Sequence, residues 1–140
     1  MTPQQVQLIK KSWRVFQQIK PEVVGDVFYS KLFADMPSLR KMYPKDMQQQ
    51  YCKLIGMLNT LVSRIEQLGV LTEEMAAMAQ RHEVYGVRPA HYKVVGKALL
   101  WTLEQGLGHD YTAEVEVAWT KCYQILADTM MKATQSTQLS

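Results

Sequence analysis

Cysteine is scarce: Cys52 and Cys122 are the only two in 140 residues. They have neither metal-site nor redox-pair spacing, which argues against a disulfide scaffold or a thiolate cluster. Both read as reduced thiols used as small packing groups on helices. Glycine and proline are also few, 7 and 5, too few for a β-rich chain with many turns. Charge of one sign is lacking too. The 16 basic and 13 acidic side chains are interspersed and leave a net charge of +3, too weak and scattered for a nucleic-acid partner. No apolar run is long enough to span a bilayer and no charged-then-apolar leader opens the chain. The expectation is a cytoplasmic protein with no membrane partner.

What is present is helical periodicity from end to end. The hydrophobic share of 47% and charged share of 21% suit a globular chain. At this length one domain over 1–140 is expected, burying roughly two-thirds of its unfolded surface. Thr2-Pro3-Gln4-Gln5 predicts a capped helix start, with Val6, Ile9, Trp13 and Phe16 inward. A second helix begins at Pro21 and carries the stripe Phe28, Tyr29, Leu32 and Phe33. Gly25 inside it costs about 1 kcal/mol against alanine, which hints at a close crossing with another helix. Pro37 opens a short turn through Leu39, Met42 and Tyr43. Asp46 is the next plausible cap, with Gln49 three residues on. The long helix that follows is expected to reach about Gln67, with Gln50, Leu54, Met57, Leu58 and Leu61 on one face. Thr72 starts a helix that Gly86 ends. Pro89 starts another, with Tyr92, Val95, Leu99 and Leu103, stopping near Gly106-Leu107-Gly108. Thr112 begins the last, with Val115, Trp119, Cys122, Leu126 and Met130. The helical core spans about 3–133, with a polar, frayed tail beyond. About seven helices with short connections predict an all-α fold around a buried pocket.

Two segments carry chemistry. Met78-Ala79-Gln80-Arg81-His82 puts an imidazole near the end of a short helix. Gln50-Tyr51-Cys52-Lys53-Leu54 puts an amide on the inner face of another helix, one turn before a leucine. Two such helices facing each other could hold a flat apolar cofactor between a nitrogen ligand and a hydrogen-bond donor, the arrangement that suits a haem with one open position. On residues alone, a packed or surface histidine is the commoner fate of such a side chain. His109 reads as a solvated turn residue. His91, in a first helical turn, reads as exposed.

An ordered set of residues sharpens this. Val27-Phe28-Tyr29-Ser30-Lys31-Leu32-Phe33 is followed by Pro37 to Tyr43, then by Gln50 with Leu54, then by Arg81-His82. Tyr92-Lys93-Val94-Val95-Gly96 with Leu99-Leu100, and Ala118-Trp119-Thr120-Lys121-Cys122-Tyr123, complete it. Each piece is unspecific, but in this order, over about residues 3–133, the set resembles a globin of the bacterial single-domain type. It is also similar to the haem domain of flavohaemoglobins.

The resemblance implies a globin fold of about seven helices around a buried haem pocket, with haem b as the cofactor. It implies that His82 ligates the iron and that no histidine opposes it at position 50. Tyr29 and Gln50 match the polar pair on the opposite side, and Leu54 the apolar residue above the iron. Tyr43 stands where the family usually has phenylalanine, bringing an extra donor to an apolar edge. Lys53 and Arg81 are candidate partners for the haem propionates, though solvated surface charges are an equal reading. Tyr92 matches a tyrosine beside the iron-ligating histidine. Met78, Val87 and Val95 would complete the apolar contacts.

The resemblance points to reversible binding of dioxygen, and also of carbon monoxide and nitric oxide, for transport, storage or sensing. Dioxygen on a ferrous haem carries partial negative charge. A phenol or amide donor therefore stabilises it by about 1–3 kcal/mol, while carbon monoxide gains less. The alternative is a nitric oxide dioxygenase or peroxidase-like enzyme. Flavohaemoglobins use an attached reductase domain to turn nitric oxide into nitrate. Here no flavin or nicotinamide module is expected, so turnover would need a separate reductase. The family's last-helix carboxylate falls at about Thr134 here. Without it the iron's histidine ligand is less anionic, which favours gas binding over oxidation.

Overall fold

Thr2 opens the first helix with a reciprocal pair of hydrogen bonds. Its hydroxyl accepts from the Gln5 N–H at 3.1 Å, and the Gln5 side-chain oxygen accepts from the Thr2 N–H at 3.0 Å. This is the expected capping box. The computed structural model describes residues 1–67, 77, 81 and 89–139. The helix expected between Thr72 and Gly86 lies almost wholly outside the described residues.

Five α-helices are described: α1 (Pro3–Phe16), α2 (Pro21–Asp35), α3 (Gln48–Ser63), α4 (Pro89–Leu107) and α5 (Ala113–Leu139). Short 3-10 turns at Pro37–Met42, Ile65–Gln67 and Gly108–Asp110 link them. There is no strand among the described residues. No helix among them is long and apolar enough to cross a membrane.

Local chemistry explains the boundaries. Pro21 and Pro37 each stand in a first turn, where a missing N–H costs nothing. Asp46 acts slightly upstream of its expected place. Its carboxylate accepts from the Gln48 N–H at 3.1 Å, while Met47 occupies the cap position without a side-chain bond. The third helix is shorter than the periodicity predicts. The Arg64 N–H is shared between the carbonyls of Thr60 and Leu61, a tightening common at helix ends. The chain then continues to Gln67 as a 3-10 turn. Thr112 caps the last helix through its hydroxyl, which accepts from the Val115 N–H at 3.2 Å. That helix runs through Leu139, beyond the expected end near 133.

α2 packs against both α3 and α4, while α1 lies on α5 and α4 also touches α5. Gly25 makes the first of these crossings close: a Cβ there would lie 2.5 Å from the Tyr51 Cβ on α3. The core is centred on Ile9, Trp13, Leu32, Leu103, Trp119 and Cys122. Its tryptophans keep their N–H groups bonded, Trp119 to the Ser12 hydroxyl at 2.9 Å and Trp13 to the Asn59 side-chain oxygen at 2.7 Å. Such pairing removes the penalty of a buried bare donor. Of the two thiols, only Cys122 is a packing group. Cys52 is exposed, because it lies on the outer side of the helix whose inner stripe is Leu54 and Leu58.

Candidate functional site

The inward stripe of α2 delivers Tyr29 to the interior, where it is 4% exposed. The inward stripe of α3 delivers Gln50 to meet it. The Gln50 amide nitrogen donates to the Tyr29 phenol oxygen at 3.0 Å. The phenol thus receives one hydrogen bond and keeps its own O–H to donate elsewhere. Burial pushes the Tyr29 phenol well above its ordinary value, opposed in part by the Gln50 bond and reinforced by Tyr43 and Tyr51. It is a neutral donor at any physiological pH.

Aromatic rings fix its place. Phe28 stands edge-on at 4.9 Å between centroids and Tyr43 edge-on at 5.3 Å, with Phe33 at 5.7 Å and Tyr51 at 5.8 Å. Separations of this size are favourable for tilted and edge-to-face pairs. Tyr43 is itself raised by burial.

Beside this cluster lies a cavity of about 340 Å³, within the size range of small-molecule sites. Its walls come from α2, α3, α4, α5 and the Pro37–Met42 turn. Eight of the residues singled out in the sequence line it: Tyr29, Tyr43, Gln50, Lys53, Leu54, Arg81, Tyr92 and Val95. Lys53 and Arg81 are exposed, so they bring charge to its edge while the interior stays apolar. Met78, His82 and Val87 lie outside the described residues.

Other lining residues were not singled out. Phe28, Leu32, Met57, Leu126 and Met130 were legible only as core stripes, with nothing to show that their stripes end at a void. Tyr123 also lines the cavity, and its phenol donates to the Tyr92 carbonyl at 2.5 Å. His91 corrects an expectation. It is half-buried and faces the cavity, because the first turn of α4 stands at the cavity wall rather than in solvent. His109 is exposed in its turn, as expected. The last carboxylate of the chain, Asp128 on α5, is exposed and outside the cavity lining.

The profile of the globin family, described simply as Globin, matches residues 26–130. The chain belongs to the globin family. It is similar to the flavohemoprotein of Bacillus subtilis, 29% identical over 126 residues, covering 88% of this chain and 31% of that one. The flavohemoprotein of Vibrio cholerae is 28% identical, with 91% of this chain and 33% of that one covered. Neuroglobin-2 of Oncorhynchus mykiss is 25% identical over 94% of this chain and 91% of its own length. The chain therefore spans about a third of the flavohemoproteins it matches and nearly all of the neuroglobin. A solved structure of a bacterial globin from Campylobacter jejuni superposes with a TM-score of 0.85 at 22% identity, over 99% of this chain and 100% of that one. That likeness bears on the fold.

Membership in the globin family implies haem-based binding of diatomic gases. The cavity of this globin suits such a group. It offers apolar walls for a porphyrin face, two edge cations for acidic side groups, and one donor pair on one wall.

Proposed function

We propose that this globin reversibly binds dioxygen at a haem b, with Tyr29 as the principal donor to the gas and Gln50 as its support. The observation that carries this reading is the direction of the Gln50–Tyr29 hydrogen bond. The amide donates to the phenol, so the phenol O–H is left for a polar guest in the cavity. When bound, the haem supplies a coordination position that diatomic gases can occupy. The chain supplies the rest. Leu54, Val95 and Met57 exclude water around the guest. Lys53 and Arg81 hold the acidic edge of the cofactor by charge. His82, on the strength of the resemblance, is the protein ligand to the iron, with Met78, Val87 and Tyr92 around it. Tyr43 adds a second phenol at the cavity edge.

The flavohemoprotein relatives favour a second, oxidative use of the same site. In that reading this globin acts on nitric oxide with electrons from a separate reductase. Single-exposure reaction with nitric oxide, followed by arrest unless a reductase and a nicotinamide cofactor are added, is the expected outcome. Sustained turnover with the nicotinamide alone would overturn the need for a partner.

Two variants test the main reading. His82→Ala should lose stable haem retention unless imidazole is supplied; a normal Soret spectrum without imidazole would reject His82 as the ligand. Tyr29→Phe should speed dioxygen release by about ten-fold or more, the effect of one lost charge-assisted bond. Carbon monoxide release, measured in parallel, should change far less. Equal acceleration of both gases would show a steric role and overturn the donor assignment.

A further inference from the structure

The segment after the Pro37–Met42 turn carries Tyr43 into the cavity on one backbone hydrogen bond, from the Tyr43 N–H to the Arg40 carbonyl at 3.2 Å, while its own carbonyls are left to a side chain. Among the described residues, no backbone N–H reaches the carbonyls of Tyr43, Pro44 or Lys45. Pro44 has no N–H of its own to close a turn. One side chain takes all three carbonyls. The Arg40 guanidinium donates to the Tyr43 carbonyl at 3.2 Å and the Pro44 carbonyl at 2.9 Å through one nitrogen. Through its other terminal nitrogen it donates to the Lys45 carbonyl at 3.2 Å. The same guanidinium lies over the Phe33 ring, 5.5 Å from its centroid. Phe33 in turn touches both Tyr43 at 5.5 Å and Tyr29 at 5.7 Å. Arg40 is half-buried, so these bonds are partly shielded from water.

We infer that Arg40 is a positioning residue for the gas site: by clamping the carbonyls of Tyr43, Pro44 and Lys45 and covering Phe33, it fixes the Tyr43 ring against Tyr29 and so sets the selectivity for a polar over an apolar guest. The inference rests on the reading of Tyr29 as the donor. The planar fork is what the task needs. A guanidinium reaches several carbonyls at once from one rigid plane and stacks on an aromatic face, whereas an ammonium is a single strongly hydrated point. Once the clamp is lost, Tyr43 no longer walls the Tyr29 ring on that side. The phenol then samples other directions, and the advantage of a polar guest falls.

The test uses Arg40→Gln and Arg40→Lys, each alone and combined with Tyr43→Phe. Phenol titration by NMR of carbon-labelled tyrosine rings gives a readout independent of gas binding. The Tyr43 phenol, identified by its loss in Tyr43→Phe, should move down toward the ordinary tyrosine range in both Arg40 variants. Dioxygen release should quicken by about three-fold or more in both, a fraction of the loss of the Tyr29 donor because Arg40 acts on it only through Tyr43, with carbon monoxide release unchanged. In the Tyr43→Phe background the Arg40 changes should add less, because the ring they position has lost its phenol. Wild-type behaviour of Arg40→Lys, an unmoved Tyr43 phenol, or equal acceleration of both gases would each overturn the inference. If Arg40→Gln fails to fold, Arg40→Lys alone decides it. If Tyr29→Phe proves neutral, the donor reading fails, while the Tyr43 titration still shows whether Arg40 holds the ring.

Discussion

At the scale of single residues, Tyr29 and Gln50 form an ordered pair rather than two equal donors. Gln50 gives one N–H to the phenol oxygen at 3.0 Å, and the phenol keeps its own proton for the cavity. Gln50→Leu should therefore cost less than Tyr29→Phe. One neutral hydrogen bond contributes about 1 kcal/mol, so dioxygen release should quicken about five-fold in Gln50→Leu against ten-fold or more in Tyr29→Phe. Flash photolysis or stopped-flow release rates would rank the two. The reverse order would make the amide the donor to the gas. That each side chain points inward was legible from its apolar helical stripe, and that the two form a pair came from the resemblance to globins. The direction of donation was not. It depends on a rotamer, and periodicity carries no information about rotamers. His91 was misread for a related reason. Its place in a first turn said that it is near a helix end, not which wall that end faces.

At the scale of elements, caps and crossings were the most legible features, because their physics is local. The Thr2–Gln5 box needs only four residues in order, and it forms as expected. The end of α3 was less legible. Its apolar pattern continues through Ile65, which is buried, but in a 3-10 turn rather than an α-helix. Burial alone does not distinguish the two. Gly25 is the clearest case of a sequence anomaly with a packing cause. A Cβ there would fall 2.5 Å from the Tyr51 Cβ and 2.7 Å from its Cγ, close to backbone and unable to yield by rotation alone. Gly25→Ala should destabilise the protein by about 1–3 kcal/mol through overpacking, despite alanine's better helix propensity. Gly56, in the same helix as Tyr51, has nothing within 4 Å of such a Cβ. Gly56→Ala should stabilise by up to about 1 kcal/mol from backbone entropy. Urea unfolding of the two variants should give opposite signs. A neutral or stabilising Gly25→Ala would mean that α2 and α3 do not cross as closely as described.

At the scale of the whole molecule, helix count and short connections already predict a buried pocket, but its walls come from helices distant in sequence, so most of the lining residues singled out in the sequence were legible as such only through the resemblance to globins. Buried acids give the assembled fold a shared response to alkali. Burial lifts the Cys122 thiol from 9.0 to about 12, and it also raises Tyr29 and Tyr123, the latter reinforced by Tyr92. Each folded group holds its proton more tightly than the unfolded chain does. Their contribution to stability is complete below pH 9 and declines as pH rises, because the unfolded state releases protons first. Cys122 begins this decline at about pH 9 and completes it near its folded value of about 12; the phenols join above pH 10. Between pH 9 and 11 the thiol alone should cost on the order of 2 kcal/mol. Denaturant midpoints measured across this window should fall steeply in the wild-type protein. Cys122→Ala should start lower, from the lost packing of a residue 1% exposed, yet fall less steeply, by about one proton's worth of slope. An identical slope in the variant would mean that the thiol meets water in the folded state, and that α5 is not packed onto the core at Cys122.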